Sequence, residues 1–178
     1  MNQVRTHLWL ETALTTLWDR HFSDVPVANT VHIGYCRPSK TRLGWIALSE
    51  SGRSSHIGIN RLLQHLEAPE EVCVITIAHE MVHYGHGFGS PLPRRYDDPH
   101  AGGIVEHELH ARGLSPALAV YQDWSLHAWH SHYARYARSR ARTSGSYRSG
   151  SLMPRSMEQD PNVAALDVTP SEWPGGGR

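Results

Sequence analysis

The chain has 178 residues, with 17 basic and 17 acidic side chains, two cysteines and a 39% hydrophobic fraction. That length suits one domain with a tail, and so modest a hydrophobic fraction supports a packed core over only part of the chain. A formal charge of zero excludes an overall electrostatic bias toward nucleic acid or membrane, no apolar run approaches membrane-spanning length, and two cysteines make no disulfide framework.

From about Gln3 to His21 the apolar residues Val4, Leu8, Leu10, Leu14, Leu17 and Trp18 fall mostly on one helical face, which predicts a first helix packed on a sheet. The preceding residues form no signal-peptide hydrophobic region, so a reduced, cytoplasmic setting is expected. Val31, Ile33 and Tyr35 alternate with His32, Gly34 and Cys36 as a strand does. Leu43 to Leu48 is a second strand, and His56 to Asn60 a short third with Ile57 and Ile59 on one face. Arg61 to Leu66 reads as a helical turn.

The run from Val72 to Tyr84 is a helix. Pro69, Glu70 and Glu71 suit its first turn, where no N–H is needed and carboxylates meet the positive helix end. Gly85 and Gly87 end it. Inside lies His79-Glu80-Met81-Val82-His83, an HExxH motif. Residues four apart stack on one helical face, so His79 and His83 can bind one metal ion, and Glu80 stands one step round as a base for water. This pattern suits zinc-assisted hydrolysis. In a chain with 14 histidines an accidental HExxH arises with a probability of roughly 5%, before the helical context is required.

A long Gly- and Pro-rich loop follows, from Tyr84 to Pro99, of the kind that forms a cleft wall or lid. A helix is expected from about Gly103 to Ala111, and a last helix from Ala117 to Tyr133. Between Trp124 and Met157 there is no acidic residue but there are six arginines, Arg135, Arg138, Arg140, Arg142, Arg148 and Arg155, with Tyr133, Tyr136 and Tyr147 interspersed. The Arg135–Arg148 stretch is either a DNA contact or a solubilising tail. Disorder is expected from about Ser139. The domain is thus residues 1–133 and the tail 134–178. Three short strands followed by the motif helix predict an α+β domain, a small antiparallel sheet packed on that helix.

A catalytic zinc needs a third protein ligand. His86 lies seven residues from His79, too far along the axis at about 1.5 Å per residue to share the ion. Gly89 stands where a metzincin would place histidine. Glu106, on the next helix with His110 four residues on, is a gluzincin-like option that lacks the acidic partner. His100, after the Asp97-Asp98-Pro99 turn, is a loop-borne option, and His107 fits no known spacing.

The span from about Lys40 to Trp124 resembles the SprT-like family of zinc metallopeptidases. The residues that carry the resemblance are Thr41-Arg42-Leu43-Gly44-Trp45, Ile57-Gly58-Ile59-Asn60, the HExxH helix, and Arg94-Arg95-Tyr96 with His100, Ile104 and Glu108. Ile104 replaces the family's aromatic residue, and Gly102-Gly103 its usual pair. The resemblance implies a zincin-like fold and Zn2+ held by His79, His83 and His100, with Glu80 as the general base. It also implies a protein or peptide substrate, which could lie antiparallel beside Ile57–Asn60 as an edge strand. The alternative is a DNA-associated protein with a structural zinc site and a basic tail.

Overall fold

The computed structural model describes residues 4–136 and the backbone of 137–139 and 164–167. The order of elements is α1 (His7–His21), β1 (Thr30–Cys36), β2 (Arg42–Leu48), β3 (Ser54–Asn60), α2 (Glu70–Gly85), α3 (Ile104–Ala111), α4 (Ser115–His127), α5 (Trp129–Ser139) and β4 (Ala164–Asp167). The chain is α+β, five helices around a small mixed sheet.

Helix α1 starts later than the apolar pattern suggests because Thr6 caps it, its hydroxyl accepting the Trp9 N–H at 3.2 Å. The sheet order is β1-β3-β2-β4. Strands β2 and β3 form an antiparallel hairpin, whereas β1 pairs with β3 in parallel, Ile33 opposite Ile57 and Tyr35 opposite Ile59. Two expectations are corrected here. The sheet is mixed, not antiparallel, and the Ile57–Asn60 segment lies between two strands, so it is no edge. On its other side β2 pairs with β4, which is the outer strand there.

The pleat places Gly44 and Ile46 on the same side as Ile57 and Ile59, and α2 packs against that face. Helix α2 is buried from Ile75 through Gly85, so the motif helix is the centre of the molecule and not an exposed His-rich segment. Its entry is clamped by the buried Arg5, whose guanidinium donates to the carbonyls of Leu63, His65 and Ala68 at 2.8 to 3.1 Å. These charge-assisted bonds fix the turn that delivers Pro69. Cys73 is buried and unpaired in a disulfide.

The single last helix expected from Ala117 to Tyr133 is two helices, α4 and α5, parted at Ala128. The break turns Trp129 into the core, where it is fully buried and its indole N–H donates to Lys40 O at 2.8 Å. That gain outweighs a continuous helix, and no Gly or Pro announces it. The boundary expected at residue 133 falls inside α5. Arg135 approaches Glu67 at 3.6 Å; Arg140, Arg142, Arg148, Arg155 and the disorder expected for the tail lie outside the described residues. Among the described residues no helix is long and apolar enough to cross a membrane.

Candidate metal centre

Helix α2 carries His79 and His83 one turn apart, and both are buried. The chain then leaves the helix at His86 and returns to His100 through a loop that is buried at Phe88 to Ser90 and mostly exposed from Pro91. The His100 N–H donates to Asp98 Oδ1 at 2.9 Å, which fixes the end of that loop. Gly102 and Gly103 follow with φ of 64° and 69°, a left-handed pair that turns the chain from His100 into α3. This is the physical reason glycines stand there.

The three imidazoles converge. His79 Nε2 lies 2.9 Å from His83 Nε2 and 3.3 Å from His100 Nε2, and the His83–His100 separation is 3.1 Å. Three neutral rings at these distances present lone pairs to one another, and one proton per ring cannot satisfy all three contacts. A tetrahedral ion with metal–nitrogen bonds of about 2.0–2.1 Å sets its ligand nitrogens about 3.3 Å apart. The donor set therefore fits a metal ion, and among the described residues it is the group of metal-binding side chains that could hold one. Burial, then the neighbouring His100 ring, pushes the His79 pKa down to about 3. Burial, followed by His79 and His100, holds that of His83 well below its ordinary value. Both rings are thus kept in the neutral form a metal requires.

The other candidates go elsewhere. Glu106 turns back toward Gly103, on which an added Cβ would stand 3.3 Å from its Oε2, and it does not join the triad. His86 sits 3.1 Å from Glu108 Oε2, with its ring edge-on to Tyr96, and so ties the end of α2 to α3. Arg112 completes that tie. It donates to Glu108 at 2.6 Å and to Asp24 at 2.7 Å. His107 is exposed. Tyr84 donates to Asn29 Oδ1 and accepts from Ala28 N–H, so its hydroxyl is committed to the loop before β1. Arg94 stacks 4.7 Å over Phe88, which meets the His83 ring edge-on.

Glu80 is fully buried and faces β2. A Cβ built on Gly44 would lie 2.8 Å from Glu80 Oε1, so the glycine makes room for the carboxylate. Burial raises the pKa of Tyr121 of α4, a hydrogen bond with Ser125 works against it, and the nearby Glu80 charge adds to the rise. Only the packing of α4 on α2 brings it there. No family model, curated protein or solved structure matches the chain.

Proposed function

We propose that the protein is a zinc-dependent metallopeptidase, of the kind the resemblance to SprT-like enzymes suggests. The observation that carries this reading is the 2.9–3.3 Å triangle of His79, His83 and His100 nitrogens, with Glu80 adjacent on the same helix. Those three histidines would hold the ion. When bound, zinc lowers the pKa of water toward about 7 and polarises a carbonyl oxygen.

The chain's own residues supply the rest. A Glu80 carboxylate oxygen takes the proton of the attacking water and passes it to the departing amine nitrogen, making the amine a competent leaving group. The buried faces of His79, His83 and Glu80 exclude bulk water from the helix side. His100, on the loop, is the exposed member of the triad.

Structural zinc sites are closed by four protein ligands, whereas catalytic ones keep a position open. The triad supplies three. This favours hydrolysis over the alternative of a structural site in a DNA-associated protein. The test is Glu80→Gln, assayed for metal content and for cleavage of an unstructured protein. Retained metal with peptidase activity reduced about 10²–10⁴-fold supports the reading, and an unchanged rate overturns it.

A further inference from the structure

Strand β4 occupies the sheet edge next to β2, the strand that meets Glu80. It pairs antiparallel with β2, Ile46 opposite Ala164, Trp45 opposite Ala165 and Gly44 opposite Leu166. Gly44 is also the point at which Glu80 meets β2. The backbone at Leu166 therefore lies across from the one residue of β2 that admits the glutamate. Strand β4 also contacts α2 itself. Just beyond Gly44 the register shifts before Arg42 pairs with Asp167. Irregularities of this kind are enriched at sheet edges next to active sites.

A peptide that adds to a sheet edge gains affinity from main-chain hydrogen bonds. Without β4 the sheet would end in β1 and β2, and of these two it is β2 that approaches Glu80. A peptide laid antiparallel along β2 would need the same backbone groups that β4 uses. We infer that residues 164–167 occupy the place of the substrate strand, so that a peptide must displace β4 to reach the site. This inference rests on the peptidase reading and adds a regulatory element to it.

Two features set how such a strand competes. Strand β4 belongs to the same chain as β2, so its pairing is intramolecular, and linked segments can reach effective concentrations of about millimolar. A free peptide at lower concentration is held off. Yet β4 is only four residues long, and its pairing with β2 runs from Arg42 to Ile46. Among the described residues β4 gives no partner to Ala47 and Leu48, so a longer extended segment can pair over more of β2 and win. The chain thus selects for long, unstructured polypeptides over short ones.

The experiment uses the full chain with Ala165→Pro and Leu166→Pro together. Proline removes the backbone N–H, and consecutive N–H groups of a strand point to opposite sides, so one of the two must face β2. In a Glu80→Gln background, binding of a labelled peptide of residues 162–169 is read by fluorescence anisotropy. The proline pair should bind it about tenfold more tightly than the chain with its native tail. With Glu80 intact, the pair should lower KM for an extended peptide about tenfold while kcat stays nearly constant. The triple change Ala164→Gly, Ala165→Gly and Leu166→Gly keeps the N–H groups and lowers strand propensity, and should shift both quantities the same way by less. Equal peptide affinity with and without the proline pair overturns the inference. Turnover with an unmoved KM overturns it while leaving the peptidase reading intact. Tighter peptide binding without any turnover supports the strand's role and rejects the peptidase reading.

Discussion

Gly44 and Glu80 are in mutual contact across the interface of β2 and α2, and no larger residue fits between them. A Cβ at position 44 would stand 2.8 Å from Glu80 Oε1 and 2.7 Å from Thr76 Cγ2. The glycine of β2 is therefore part of the pocket that orients the proposed base. Gly44→Ala should push the Glu80 carboxylate aside and cost about 1–3 kcal/mol of stability through overpacking. Peptidase kcat should fall by about 10²-fold with zinc content retained, because misplacing a catalytic group by about 1 Å has that effect. Full activity in the alanine variant would remove Gly44 from the site.

Asn60, at the end of β3, holds the start of β2 two residues before Gly44. Its buried amide donates to Ser39 O at 2.8 Å and Arg42 O at 2.7 Å, and its Oδ1 accepts the Leu62 N–H at 3.1 Å. Aspartate keeps the acceptor but cannot donate. Asn60→Asp should lower stability by about 2–4 kcal/mol, since a buried carbonyl left unpaired costs about 1–3 kcal/mol and a buried charge adds to it. Chemical denaturation measures this directly, and a loss below about 0.5 kcal/mol would mean the clasp is not formed.

Acid should loosen the tie between α2, α3 and the end of α1. Burial works to raise the Glu108 pKa, but the hydrogen bonds from Arg112 and His86 outweigh it and hold the carboxyl below its ordinary value. A depressed carboxylate pKa contributes stability that is complete above the unfolded value and is lost as pH falls through the folded one. The thermal midpoint should therefore drop as pH is lowered below about 4.5. Glu108→Gln should be less stable than the native chain at neutral pH and show a shallower acid slope. Identical slopes would contradict the tie.

What was legible in the sequence was local. The HExxH helix, the alternation of Val31, Ile33 and Tyr35, and the turn after Asn60 all declare themselves over a few residues, and all are in the structure. The order of strands depends on pairings distant in sequence. Nothing in Ile57–Asn60 says that β1 will pair on one side of it and β2 on the other, and so an inner strand was read as an edge. The kink at Ala128 was hidden for a similar reason. Its cause is the burial of Trp129 against Lys40 O, far away in the chain. His100 lies on a loop where periodicity carries no information, and the family resemblance, not spacing, singled it out from Glu106. Tyr121 and the Gly44–Glu80 contact needed the packing of α2 to become visible.

The metal content of the purified protein bears most directly on the proposed centre. Elemental analysis of the native chain, His100→Ala and Glu106→Ala would be compared after equilibration with zinc and removal of the excess. The three-histidine proposal predicts about one zinc per chain in the native protein and in Glu106→Ala, and a loss of tight binding in His100→Ala. Zinc retained without His100 and lost without Glu106 would contradict the three-histidine site.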